Sequence, residues 1–510
     1  MTSAKPISRD SSTAALVAVC LAALCMPLSF TGPAVALPAI AAELHGMPLA
    51  LAWITNAFML SFGGCLMAAG ALADRYGRKR LFLLGVGVFC VAALALAAAG
   101  SLAMLELLRA VQGLGCALAL SSGLAALAQL FEGAARARAF SLIGTTFGAG
   151  LAFGPIAAGV LVNHFGWRSL FVATAATALA ALLLGSRTLR ESRDPQAAGL
   201  DWPGALSFTG ALSLLTYGLL QAPHTGWTGS TSLALVGGTA LLLALFVAVE
   251  RRAAQPMLDL SLLRVPAFAG VQLLAAAPAF SFVVLLVLLP ARLIGIEGYS
   301  AQGAGAMLLA LSAPMLVLPM AAGLAARRIA PAYLCSAGLL AATGGLLWLS
   351  TCAPGQPATA LLGPLLLIGA GISLPWGLMD GLAVSVAPVE RAGMAAGIFN
   401  TTRVAGEGLA LAIVAALLAS FVLTALLALP AIAPQQAALA APLLAAGDLH
   451  GASVLLPQLP ASQLMQAYGD AMHRLLQVLA AISLLSALLL LVFLRPGGAT
   501  GTAALMPDRQ

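Results

Sequence analysis

Fourteen apolar runs, each long enough to cross a bilayer, leave this chain little choice of fold. They lie near residues 14–40, 52–73, 81–100, 103–128, 139–162, 169–187, 203–221, 232–250, 267–290, 301–323, 333–352, 359–387, 392–425 and 473–494. A span needs about 20 apolar residues. Hydrocarbon offers no partner to a bare backbone N–H or C=O, so each run is expected to be a helix. The predicted fold class is an all-α polytopic membrane protein. Composition agrees: 8% of the 510 residues are charged, where a soluble domain carries about a quarter. Lys5 and Arg9 before the first run mimic a secretory signal, but that run continues to about Ile40. This is too long for a cleaved segment, so an uncleaved first helix is expected.

Charge orients the spans. Of 24 Lys and Arg, only Arg168, Arg292 and Arg474 fall opposite the N-terminus, and Arg109 and Arg403 fall within runs. The rest share one side, from Lys5 and Arg9 through Arg251, Arg327 and Arg391 to Arg495 and Arg509. The bias of cations to the cytoplasmic face then predicts both termini inside. The net charge of +7 is spread through short loops, which argues against a nucleic-acid partner. Trp53, Trp167, Trp202 and Trp227 fall near span ends, where an interfacial belt would put them. The seven cysteines and five scattered histidines show no metal or disulfide spacing. No phosphate-binding G-x-x-x-x-G-K-[ST] run and no nucleophile–base pair occurs, so neither a cofactor nor an enzyme is expected. The nearly uncharged stretch from about Pro430 to Ala467 is the one long loop on the outer side. A short amphipathic helix on the membrane and a mobile segment both fit it.

The longest specific motif is Gly70-Ala-Leu-Ala-Asp74-Arg75-Tyr-Gly77-Arg78-Lys79-Arg80, a tight basic turn between the second and third runs. It resembles the loop G-x-L-A-D-R-x-G-R-[KR]-[KR] of the major facilitator superfamily at every fixed position. A weaker echo, Gly323-Leu-Ala-Ala-Arg327-Arg328, follows the tenth run. Arg109-Ala-Val-Gln112-Gly113-Leu-Gly115 is similar to that family's R-x-x-Q-G-x-G. Gly150-Leu-Ala-Phe-Gly154-Pro155-Ile-Ala-Ala158-Gly159 is similar to its antiporter motif, with one Gly changed to Ala. Trp167-Arg168 with Phe171, Asp201-Trp202 with Gly204, Glu250 with Pro256 and Asp259, and Asn400-Thr-Thr-Arg403 resemble the fourteen-helix drug:proton antiporter branch.

The resemblance implies two six-helix bundles plus two inserted helices. The expected division is 1–190 for the N-terminal bundle, 191–252 for inserted helices 7 and 8, 253–495 for the C-terminal bundle and 496–510 for a tail. It implies a conformational latch at Gly70, Asp74, Arg75, Gly77 and Arg78, with local capping as the rival role for Asp74. Small residues Gly150, Gly154 and Gly159 would let helices touch, and Pro155 would bend the fifth helix, together suiting a hinge. Arg109, a charge inside a span, is a functional candidate by default, with an ion pair to Glu106 as the structural alternative.

One departure matters. The branch usually carries an acid and an Asn in its first helix, where this chain has Ser29 and Ala34. That acid is a usual proton site. Glu407, deep in the thirteenth run with Arg403 one turn before it, is the candidate replacement. A static Glu407–Arg403 pair is the competing reading, and Asp380 is a second candidate. The substrate cavity is expected between the bundles, with Ser29, Phe30, Asn56, Phe58, Trp376 and Asn400 among its lining.

The expected function is a secondary transporter of the bacterial cytoplasmic membrane, exporting small amphipathic or cationic organic compounds against protons. Its other partner is the lipid bilayer, and a monomer is the default expectation. Two alternatives stay open: a metabolite or siderophore exporter with weak or no proton coupling, and a non-transporting receptor on the same fold.

Overall fold

The computed structural model describes residues 9–131, 133–193, 201–253, 258, 261–386, 392–429 and 432–494. Lys5, Pro256, Asp259, Arg391, Arg495, Arg509 and the 496–510 tail lie outside them. Among the described residues there are no strands, and 14 helices are long and apolar enough to cross a membrane. They are α1 (Arg9–Leu44), α2 (Pro48–Tyr76), α3 (Arg78–Ala97), α4 (Leu102–Leu130), α5 (Gly133–Phe165), α6 (Arg168–Thr188), α7 (Trp202–Thr225) and α8 (Ser230–Arg252). Then come α9 (Pro266–Ile296), α10 (Ala301–Ala325), α11 (Pro331–Ser350), α12 (Thr359–Ala383), α13 (Ala392–Leu427) and α14 (Ala461–Phe493). Apolar side chains such as Val91, Leu107, Leu183, Leu241 and Leu488 stand exposed around the outside, as a protein solvated by lipid requires.

The pairing of helices repeats. In the first half α3 lies against α4 and α6, α2 against α4, and α1 against α5 and α6. In the second half α11 lies against α12 and α14, α10 against α12, and α9 against α13 and α14. The halves meet along two seams, α5 with α10 and α2 with α13. The α7–α8 hairpin straddles the second seam. Thr209 on α7 donates to the Gly64 carbonyl on α2 at 3.1 Å. Trp227 donates from its ring N–H to the Ser420 hydroxyl on α13, also at 3.1 Å.

Two local outcomes depart from the sequence reading. Trp167 stands at the span end, in the turn between α5 and α6, but is buried against protein, and its ring N–H donates to Glu43 at 2.7 Å. Arg168 pairs with the same carboxylate at 2.5 Å. The α5–α6 turn is thus tied to the end of α1.

The segment after α13, as far as its described residues 432–460 go, packs on the protein. It forms two short helices, Pro434–Ala445 and Leu449–Leu455, that fold back over the protein. Ala437, Ala440, Ala441 and Leu444 bury the first of these, which packs on α13. Gly447 has φ 88° and sits so close to α9 that a Cβ there would come within 2.5 Å of the Ala291 carbonyl oxygen. Only glycine meets both demands. α14 begins at Ala461 because Leu464, Tyr468 and Met472 are buried. They carry the helix through a polar stretch that hydropathy breaks at 473.

Candidate functional site

The basic turn is built by its neighbours in the first half. Gly77, at φ 115°, ends α2 and starts α3. The first N–H groups of a helix lack intrahelical acceptors and attract anions. Here Glu191, beyond α6, supplies the anion: its carboxylate accepts from the backbone N–H of Lys79 and of Arg80, each at 3.2 Å. A Cβ at Gly77 would lie 2.5 Å from that carboxylate. Arg78 N–H donates to the Ser192 carbonyl at 2.8 Å, and Lys79 Nζ to the Ser186 carbonyl at 2.7 Å. Asp74 accepts from Arg78 Nε at 2.9 Å and Nη2 at 2.7 Å. Arg75 stacks on Tyr76, 5.5 Å from the ring centre. Asp74 is thus engaged inside its own turn, and among the described residues no hydrogen bond or ion pair joins the turn to the second half. A Cβ at Gly70 would meet nothing within 4 Å.

Arg109 on α4 is fully buried. Its Nε donates to the Ile54 carbonyl on α2 at 2.8 Å, its Nη2 to the Ser29 carbonyl on α1 at 2.8 Å, and its Nη1 to Gln112 at 2.6 Å. The guanidinium also lies 4.2 Å from the Phe58 ring centre. Hydrogen bonds to a charged group contribute about 1.5–3 kcal/mol each, which offsets much of the cost of burying the cation. The Glu106 pairing raised by the sequence does not form, because the side chain turns inward to two helix carbonyls. Ser29 Oγ, Thr55 Oγ1, Asn56 Oδ1 and Gln112 Nε2 are buried near it without a partner among the described residues.

At the seam between the halves the chemistry is aromatic and acidic. A small space of about 20 Å³, room for roughly one water, is lined by Phe30, Met59, Phe147, Trp376 and Glu407 among others. Phe147 on α5 stacks on Trp376 on α12 with centres 6.2 Å apart and planes at 26°. Arg403 on α13 lies 5.8 Å from the Phe147 ring centre. The two halves are therefore closed against each other between this space and the basic face. Met67 on α2 adds to that closure by packing on Phe268, Ala395 and Ile398.

The proposed Glu407–Arg403 pair is not formed. Arg403 turns to Asp380 at 3.4 Å and to Asn400 Oδ1 at 2.7 Å. That leaves Glu407 on the cavity wall with no hydrogen bond or ion pair among the described residues. Asp380 follows a break in α12 and its side chain is 60% exposed, which suits a solvent-facing group.

Of the expected lining, Phe30 and Trp376 face this space and Asn400 lies beside Arg403. Ser29, Asn56 and Phe58 lie inside the first half instead, around Arg109. Asn56 Nδ2 donates to its own helix at the Ala52 carbonyl, 3.0 Å away. Gly150 and Gly154 face α1, where a Cβ would strike Pro27 and Thr31 respectively. Gly159 faces the other half: its Cβ would meet the Ala301 carbonyl oxygen of α10, while a Cβ at Gly305 of α10 would meet the Pro155 carbonyl oxygen. The α5–α10 seam is thus backbone against backbone.

On the face opposite the basic turn lies a much larger cavity, about 810 Å³, between α1, α2, α7, α9 and α13, roofed by the segment that follows α13. The sequence did not single it out, because its walls are mostly Ala, Leu, Pro and Gly.

The major facilitator superfamily model matches residues 19–411. The tetracenomycin C resistance and export protein of Streptomyces glaucescens is 33% identical over 409 residues, covering 79% of this chain and 76% of its own. The puromycin resistance protein pur8 of Streptomyces alboniger is 33% identical over 78% of this chain and 80% of its own. The multidrug efflux pump LfrA of Mycolicibacterium smegmatis is 28% identical over 94% of both chains. Among solved structures, an inward-facing bacterial homologue of the human lysosomal transporter Spinster superposes with a TM-score of 0.65, 17% identity, 96% coverage of this chain and 98% of its own.

Proposed function

The chain belongs to the major facilitator superfamily, and from that premise we propose that it exports amphipathic or cationic organic compounds by proton antiport. Its relatives are named for antibiotic resistance, antibiotic export and multidrug efflux, which supports the substrate class. The basic face is taken as cytoplasmic, with both ends of the chain on that side of a bacterial inner membrane, and the protein works as a monomer. The electrical part of the driving force is about 2.3 kcal/mol per charge per 100 mV.

The observation that carries the coupling is the position of Glu407. It is an acid with no ion-pair partner among the described residues, on the wall where the two halves meet. There a proton and a substrate can exclude each other as the halves tilt about the two seams. Gly150, Gly154, Pro155 and Gly159 serve that tilt as the close-packed pivot of α5. Asp74 and the rest of its turn act as the latch, released from Arg78 in the alternative state. Ser29 supports a second reading, an exporter with weak proton coupling, since its place in α1 lacks the acid.

The test is dye and drug efflux in cells lacking their own pumps, with and without an uncoupler. The first reading expects uncoupler-sensitive efflux that Glu407→Gln removes. Efflux insensitive to both would favour the second.

A further inference from the structure

We infer that the roofed cavity on the face opposite the basic turn is a second binding station, which takes the exported molecule by its apolar body after it leaves the centre. The inference rests on the export reading above.

Size comes first. At about 810 Å³ the cavity falls in the range of sites for drug-sized molecules, while the central space of about 20 Å³ holds none in this conformation. The molecule with its two halves closed at the centre has its room for a solute on the exit side.

The walls then define the ligand. They are mostly aliphatic side chains and backbone from α1, α2, α7, α9 and α13, and no Phe, Tyr or Trp is among the described residues that line the space. Its titratable groups are His45, Asp448 and His450 alone. Asp448 is already engaged, accepting from the Gly451 N–H at 2.7 Å to cap the second roof helix. A permanent cation finds no Phe, Tyr or Trp face here. A lipophilic molecule without fixed charge fits, as does the apolar part of an amphipath, because burial is driven by apolar area rather than pairing.

The roof belongs to the second half. It is held to α13 by buried alanines and to α9 by the contact of Gly447 with Ala291 and of Gly295 with Gly447. Toward the first half it touches α2 far more lightly than it packs on α13, and His45 and Met47 lie at that edge of the cavity. Tilting of the halves therefore carries the roof away from α1 and α2, opening the cavity outward. α7, through Leu220 and Pro223, closes the side that would otherwise face lipid between α2 and α13.

The experiment uses full-length protein in lipid nanodiscs with N-phenyl-1-naphthylamine, a neutral lipophilic probe. A cysteine is placed in the roof by Ala446→Cys and another on the lipid face of α8 by Leu241→Cys. Each is labelled with N-ethylmaleimide and read by mass spectrometry at that site. At a probe concentration four times its Kd, labelling at 446 is expected to slow about fivefold, and labelling at 241 to stay unchanged. The protection persists in Glu407→Gln, which acts at the centre. In cells, Ala52→Trp with Ala446→Trp is expected to cut efflux severalfold, while Leu241→Trp leaves it unchanged.

Equal labelling at 446 with and without probe, in protein that exports normally, overturns the inference. So does wild-type efflux from the double tryptophan variant. If wild-type protein exports nothing, the export reading falls instead, and the labelling ratio still decides whether the cavity holds a lipophilic ligand.

Discussion

The two halves share one pattern of helix pairing yet handle buried charge in opposite ways. The first half buries a cation, Arg109, with carbonyls, an amide and a ring for partners and no acid. The second half places an acid, Glu407, at the seam, while its nearby cation Arg403 is held by Asp380 and Asn400. A fixed arginine that bridges α1, α2 and α4 serves as a rivet. An acid without an ion-pair partner among the described residues, at the seam proposed to move, can take up and release a proton. On the proposed reading, common architecture leaves the coupling chemistry to the second half, since Ser29 brings no acid to the first.

The comparison breaks most severely at Arg109. Arg109→Ala strands two helix carbonyls and Gln112, at about 1–3 kcal/mol for each buried group left unsatisfied. The expected outcome is loss of most monodisperse protein on size-exclusion chromatography. A well-folded, exporting Arg109→Ala protein would show that the rivet is dispensable. Next in size is Gly159→Leu. The side chain would strike the Ala301 carbonyl across the α5–α10 seam, so protein should fold with the halves wedged apart. Efflux falls about tenfold or more, as a misplaced geometry of an ångström or so does elsewhere.

Ser29→Asp sharpens the contrast. It returns an acid to α1 beside Arg109, and in a Glu407→Gln background it should restore a measurable part of uncoupler-sensitive efflux. No recovery would mean the first half has lost more than one carboxylate. The smallest effect is expected from Asp380→Asn. The pair it breaks is 3.4 Å long with Asp380 60% exposed, and such pairs are worth about 0–1 kcal/mol. Efflux should change by no more than a few-fold.

Much of this was readable before any coordinates. Span number follows from hydropathy because lipid forces long apolar helices. The basic turn and the α5 glycines stand in short contiguous motifs. Partners far along the chain were not readable. Glu191 reaches Lys79 and Arg80 only because α6 returns beside α3, and Glu43 binds Trp167 by the same kind of closure. Arg403 chose Asp380 over the nearer Glu407 because the break in α12 brings Asp380 alongside, which helix periodicity on α13 does not encode. The roof was missed because its Ala, Pro and Leu composition reads alike for a lipid-facing helix and for one packed on protein. Ser29, Asn56 and Phe58 were assigned to the cavity by resemblance, and the inward turn of Arg109 draws them into the first half.

The claim that the second half carries the proton is tested most directly in proteoliposomes under an imposed pH difference. Wild-type protein is expected to concentrate substrate uphill and to lose that capacity when the gradient is collapsed. Glu407→Gln protein should still exchange substrate downhill yet fail to concentrate it. Uphill accumulation by Glu407→Gln equal to wild type would contradict the account.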